Sequence, residues 1–195
     1  MAFFGLGSPG LSAPLLCGDG VVLRPAQMRD FDQWSNLRAR SRTFLTPWEP
    51  VWPEDDLTSL AFRRRVRRNQ SEIENDEAFA LLIFREADNK LLGGLTLGHV
   101  RRGVAQTATL GYWMGEPHAG KGHMSKAVRA ALGFAFGPLH LHRVEAACLP
   151  RNQSSIRLLD ATGFQPEGMA KGYLKINGLW QDHLLYGQVS PQGLV

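Results

Sequence analysis

Between Leu110 and Phe136 the chain reads LGYWMGEPHAGKGHMSKAVRAALGFAF, an apolar and aromatic run, a glycine-rich turn, and then apolar residues at three- and four-residue spacing. The run predicts a strand over Thr107–Met114. Ala127, Val128, Ala131, Leu132 and Ala135 predict the buried face of an amphipathic helix. A strand that passes through a glycine turn into a helix start leaves the first helical N–H groups without intrahelical partners, at the positive end of the helix dipole. That is a cradle for phosphate. Gly120 and Gly122 let the main chain come close, Lys121 and His123 bring positive charge to the rim, and Met124 and Ser125 supply the next amides. The spacing is not that of a Walker loop, which has four residues between its glycines and a following Lys-Ser/Thr. Nor is it G-x-G-x-x-G after an early strand.

At 195 residues the chain is long enough for one substantial core and short for two. The expected organisation is an N-terminal arm over residues 1–20 with an extra strand, one domain over 21–189, and a tail over 190–195. Hydrophobic residues at 44% exclude a disordered chain. Lys and Arg number 22 against 18 Asp and Glu, for a net charge of +4 and a pI near 9.4. This mild excess suits an anionic ligand or a ribosome-associated partner. The first twenty residues lack a basic n-region, and Gly and Pro interrupt their apolar run, which argues against a signal peptide. No stretch is apolar enough to span a bilayer. A cytoplasmic protein without membrane contact is expected. Cys17 and Cys148 are too isolated in sequence for a C-x-x-C pair, so reduced thiols are expected. His140 and His142 have no second ligand pair, so no metal site is expected.

Along the chain, Leu15–Cys17 and Val21–Arg24 flank Gly-Asp-Gly as hairpin arms. Asp30 reads as the cap of a helix to about Arg42, with Phe31, Trp34 and Leu37 on one face. LTPWEPVWP, residues 45–53, predicts a stiff loop. Residues 54–74 predict a helix with Leu57, Leu60, Ala61 and Phe62 buried, followed by Arg63, Arg64, Arg65, Arg67 and Arg68, a cluster that is either a solvated face or a contact for RNA. Strands are expected over 78–85 and 91–101, then at 143–149. A helix over 152–162 ends at a Gly163-Phe164 C-cap. Strands over 172–177 and 179–189 meet at an Asn-Gly turn. The order implies a mixed α/β sheet with helices on its faces.

Seven local words are similar to those of one family: LTPWEP (45–50), LGY (110–112), GKGHM (120–124), HRVEA (142–146), PRNQSS (150–155), GFQPEGMAKGYL (163–174) and NGLWQDH (177–183). They resemble the RimJ/RimL-type ribosomal-protein N-terminal acetyltransferases of the GNAT superfamily, the RimJ branch most closely, over about residues 21–189. The superfamily's pyrophosphate loop reads Q/R-x-x-G-x-G/A. Its fourth position falls on Gly122 and its last on Met124, while Ala119 stands where Gln or Arg is usual, which removes one side chain but no backbone donor.

The resemblance implies a GNAT fold with a mostly antiparallel sheet and a V-shaped cleft that takes acetyl-CoA as co-substrate. The diphosphate is then expected on the amides of Gly120, Lys121, Gly122, His123, Met124 and Ser125, and the thioester carbonyl near the Met114 N–H. Ser155 is expected to protonate the leaving thiolate and Asn152 to orient cofactor or substrate. Capping of the following helix is the alternative role for both. Many relatives carry a Glu where this chain has Thr109, so the base is either water or another carboxylate, Glu49 being the candidate. Tyr112, Tyr173 and Asp182 are expected to serve packing. The expected acceptor is a protein N-terminus, an N-terminal alanine of a ribosomal protein first. A small amine, or a non-catalytic ribosome-assembly or RNA-binding role for the arginine helix, are the alternatives.

Overall fold

The computed structural model describes residues 15–191. The part of the expected N-terminal arm before Leu15 and the last four residues of the tail lie outside the described residues. Among the described residues, eight strands form one sheet: β1 (Leu16–Gly18), β2 (Val21–Pro25), β3 (Phe79–Arg85), β4 (Lys90–Arg101), β5 (Thr107–Met114), β6 (Arg143–Cys148), β7 (Gln165–Ile176) and β8 (Leu179–Val189). Their order is β1-β2-β3-β4-β5-β6-β8-β7. Every neighbouring pair is antiparallel except β5–β6. The exception follows from connectivity, because a helical crossover returns the chain to the same end of the sheet and leaves the two strands parallel.

That crossover is α4 (His123–Phe136). Ala127, Val128, Ala131, Leu132 and Ala135 are all buried, as the spacing predicts. They pack on Val21, Leu23, Leu95, Leu97 and Val144 from one face of the sheet, and α5 (Gln153–Ala161) joins them there through Leu159. The other face carries α1 (Phe31–Arg40) and α3 (Ser59–Glu74), with Trp34, Leu37 and Phe62 set against Leu82, Phe84 and Leu91.

Several local expectations shift. Asp30 does not cap α1 through its side chain. Its carboxylate instead takes two N–H bonds from Arg24, both 2.7 Å, and one from the Gln27 amide. The helix expected to run to Arg42 breaks at Ser41, followed by the short α2 (Arg42–Leu45) and a 3-10 turn over Thr46–Trp48. α3 starts at Ser59, where Thr58 accepts the Ala61 amide as its N-cap, and not at residue 54. Leu60 is 60% exposed, which corrects its assignment to the buried face. β7 begins at Gln165, seven residues before the expected start. Its residues are mostly exposed on the sheet's edge, so it lacks the alternation that marks a half-buried strand. The turn residues hold as read: Asn177 and Gly178 have φ of 46° and 81°, and Phe164 N–H closes onto Leu159 O at 3.1 Å after α5.

Candidate active site

β5 and β6 are paired only from Thr107↔Arg143 to Leu110↔Ala146, and beyond those residues they have no register with each other. The opened edge of β5 carries defined hydrogen-bonding groups. Gly115 N–H bonds Leu92 O of the β4 side at 2.8 Å, while Gln106 O accepts from Arg143 N on the β6 side at 3.1 Å. Strand periodicity therefore turns the amides of Tyr112 and Met114 into the gap.

A cleft of about 440 Å3 occupies this gap, lined among others by Tyr112, Met114, the turn from His118 to Ser125, Asn152 and Ser155. The structure thus brings every sequence-predicted site residue to one cavity, Glu49 included. Gly120 and Gly122 have φ of 71° and 78°, and a Cβ built on either meets nothing within 4 Å. The glycines serve the backbone's left-handed turn and keep the space over it open. Gly122 caps α4 without a side chain, and the first helical bond is Lys126 N to Gly122 O at 3.3 Å. The amides of His123, Met124 and Ser125 therefore have no intrahelical acceptor. Lys121 Nζ folds back onto Pro117 O at 2.8 Å. Burial, followed by the charges of Lys126, Arg85 and Lys121, holds the His123 pKa below its ordinary value.

On the α5 side, Asn152 Oδ1 accepts the Ser155 N–H at 3.1 Å, so the capping role is real, and it uses the serine's amide and not its hydroxyl. Burial drives the Tyr112 phenol far above its usual pKa, with the Ser155 side chain acting against that shift. Cys148, at the end of β6, is pushed up to about 11 by burial and Asp160, which keeps it a thiol at neutral pH. Cys17 is exposed on the edge strand β1, four strands from β5. Asp182 accepts the Gly172 amide at 2.8 Å within the β7–β8 hairpin.

A second chamber, of about 390 Å3, lies on the α1 and α3 side and shares Glu49, Tyr112 and Trp113 with the first. Glu49 is the partition between them. Arg38 donates to both of its oxygens at 2.7 and 2.8 Å, and Trp52 Nε1 donates at 2.7 Å. The Arg38 guanidinium stacks 3.9 Å over Trp52 and 4.9 Å from Trp113. Trp113 can cross β4 because Gly94 is bare there; a Cβ would overlap its indole nitrogen. Asp56 and Arg65 pair at 2.6 Å in the chamber wall. Burial pulls the Arg65 pKa down, Asp56 opposes this, and Arg38 reinforces it.

Sequence reasoning missed Arg38, Asp56 and Trp113 as site residues and read Arg65 only as part of a basic helix face. The available signal was Arg38 itself, a charge in register with Trp34 and Leu37 on the stripe that α1 buries. Of the remaining cluster, Arg64 pairs with Asp55 and Arg68 lies 3.6 Å from Glu72. Arg63 and Arg67 are exposed and have no ion pair among the described residues. The described residues hold no metal-binding cluster and no helix long and apolar enough to cross a membrane.

The sequence profile of the acetyltransferase (GNAT) domain matches residues 21–165. The chain is 36% identical to a probable N-acetyltransferase, YjcK, of Bacillus subtilis (strain 168), covering 91% of this chain and 98% of that one. It is 34% identical to the ribosomal protein uS5-alanine N-acetyltransferase of Escherichia coli (strain K12), covering 90% and 91%. Among solved structures, the ribosomal-protein-S5-alanine acetyltransferase of Vibrio fischeri superposes with a TM-score of 0.86 at 28% identity, covering 93% of this chain and 100% of that one. Mycobacterium smegmatis RimJ in complex with CoA-disulfide superposes at 0.85 with 30% identity, covering 94% and 89%. A split sheet, a bare-amide turn at the head of α4 and these likenesses lead to one conclusion: the chain is an acetyl-CoA-dependent N-acetyltransferase of the GNAT superfamily, of the RimJ type.

Proposed function

We propose that the enzyme acetylates the α-amine of a protein N-terminus, an N-terminal alanine of a ribosomal protein in the first place, with residues 21–189 as the catalytic unit. The relatives named for uS5 alanine support the acceptor class. The observation that carries the reading is the pair of chambers on either side of the sheet split, meeting at Glu49, Tyr112 and Trp113. The second chamber balances Arg38 and Arg65 against Glu49 and Asp56, and tryptophans wall it. A polyamine or aminoglycoside calls for a net acidic pocket, whereas an uncharged extended main chain suits a balanced one.

In this reading the amides from Gly120 to Ser125 hold the diphosphate of acetyl-CoA, and the edge of β5 pairs with its pantetheine arm as a strand would. The acceptor amine enters from the second chamber and attacks the thioester carbon directly. A C–N bond forms, the C–S bond breaks, and the Met114 N–H stabilises the carbonyl oxygen as it gains charge. Ser155 supplies the proton that the sulfur takes up, with Tyr112 beside it, and Asn152 fixes the helix turn that carries Ser155.

The amine must arrive neutral. For an α-amine of pKa about 7.7–8.0 this costs on the order of 1 kcal/mol at neutral pH, against about 4–5 for a lysine. A strong base is therefore unnecessary. Glu49 already receives three donors, and we assign it to positioning the partition while water removes the amine's proton. Arg63, Arg64, Arg67 and Arg68 face outward on α3 as the contact for ribosome or RNA, and Arg65 turns to the chamber. A ribosomal-protein acceptor entails action in the cytoplasm. Incubating the pure enzyme with acetyl-CoA and total ribosomal proteins, then reading N-termini by mass spectrometry, tests the proposal. Acetyl on a protein's terminal alanine supports it, and transfer only to small amines or to none overturns it.

A further inference from the structure

Three polar atoms of residues that line the second chamber are buried and have no hydrogen-bond partner among the described residues: Asp56 Oδ2, Arg38 Nε and Arg65 Nε. Asp56 and Arg38 are each only 8% exposed. A buried carboxylate oxygen or guanidinium N–H left unpaired is destabilising, and such groups in a native fold call for an ordered water, a ligand or a function. The unpaired set is mixed, one acceptor and two donors. A cation would need acceptors only and an anion donors only. A peptide unit brings one N–H and one C=O, and it satisfies both kinds together.

We propose that Asp56, held by Arg65, is a specificity-determining residue that binds the main chain of the acceptor: Asp56 Oδ2 accepts the N–H of the acceptor's second residue, and Arg65 or Arg38 Nε donates to the adjoining carbonyl. The inference rests on the reading that a protein N-terminus is the acceptor. Asp56 is positioned for this by its place just ahead of α3, where Arg65 Nη2 fixes Oδ1 at 2.6 Å. The Asp56 carboxylate torsion is soft, and a small turn of it, followed by the Arg65 guanidinium at the protein surface, brings Oδ2 to the cavity while the pair is kept. Trp34, Trp52 and Trp113 form the apolar sides of the same chamber. They exclude water from the contact, and their fluorescence reports its formation.

The test uses the whole chain saturated with CoA, an alanine-initiated hexapeptide, and the same hexapeptide N-methylated at the amide nitrogen of its second residue, which replaces that N–H by a methyl group. Tryptophan fluorescence measures binding, and acetyl transfer from acetyl-CoA is assayed separately. The wild type is expected to bind the N-methyl peptide at least about tenfold more weakly, the loss of one charge-assisted hydrogen bond. Asp56→Asn retains the shape and an oxygen for Arg65 but sets an NH2 where the free oxygen was. It should weaken the parent peptide comparably and abolish discrimination between the two. Equal binding of both peptides by the wild type overturns the anchor, and this needs no variant to fold. Undiminished discrimination in Asp56→Asn overturns it equally. Discrimination in binding without any acetyl transfer supports the anchor and defeats the proposed activity. Transfer without discrimination does the reverse.

Discussion

Arg38 grips Glu49 with two parallel N–H···O bonds, Nη1 to Oε1 at 2.7 Å and Nη2 to Oε2 at 2.8 Å, from side chains only 9% and 19% exposed. The pair joins α1 to the tryptophan loop, and the loop in turn reaches the far hairpin through Glu49 O, which accepts the Asn177 amide at 2.9 Å. Glu49 thus ties together α1, the tryptophan loop and the β7–β8 hairpin.

Glu49→Gln should therefore act as a structural and positioning change. Removing one charge from a mostly buried pair costs on the order of 3 kcal/mol, or a melting midpoint lower by about 6–12 °C for a chain of this size. The acceptor KM should rise while the rising limb of the pH–rate profile keeps its midpoint. Loss of that limb would instead make Glu49 the base.

Gly122 separates two effects that a loop substitution usually mixes. Its φ of 78° strains any residue with a Cβ, yet that Cβ meets no protein atom within 4 Å. The cost to folding of Gly122→Val is chiefly the left-handed strain, at least about 1–2 kcal/mol. Its added methyls fill the space proposed for the diphosphate. Calorimetry should show acetyl-CoA affinity falling by well over tenfold in a protein that still melts cooperatively.

The central strand–turn–helix was legible because three independent signals coincide there: an aromatic run, paired glycines, and alanines at helical spacing on α4. The cleft was legible too, through the family words, since the amides that make it belong to the main chain. The second chamber was not. Arg38, Glu49, Asp56, Arg65 and Trp113 come from α1, the tryptophan loop, the turn before α3, α3 itself and β5. No local pattern announces that a guanidinium on α1 will meet a carboxylate eleven residues on. β7 was half missed for a related reason, because an edge strand with both faces wet keeps no period of two.

Ser155 and Asn152 can be told apart by stability. The cap runs from the Ser155 amide to Asn152 Oδ1, so Ser155→Ala leaves it intact and Asn152→Ala deletes it. Asn152→Ala should cost about 1 kcal/mol and lower the midpoint by about 2–4 °C. Ser155→Ala should melt like the parent, bind acetyl-CoA normally and lose kcat by about 100-fold or more, the range for removing a proton donor. An unchanged kcat would remove Ser155 from the chemistry.

The turn proposed to hold the diphosphate also has a pH signature. His118 is buried beside it, and burial, followed by Lys90, Lys121, Arg85 and His123, depresses its pKa; His123 is depressed in the same direction. With the folded values below the ordinary value of about 6.5, the unfolded chain binds more protons in the interval between the two. Stability therefore rises with pH across that interval, is complete above about 6.5, and is lost as pH falls toward the folded values. Thermal midpoints measured from pH 8 to 5 should hold level and then decline below about 6.5. His118→Gln, which cannot take up a proton, should flatten part of that decline while leaving His123 to account for the rest. A decline of the same depth in the variant would place the proton uptake elsewhere in the fold.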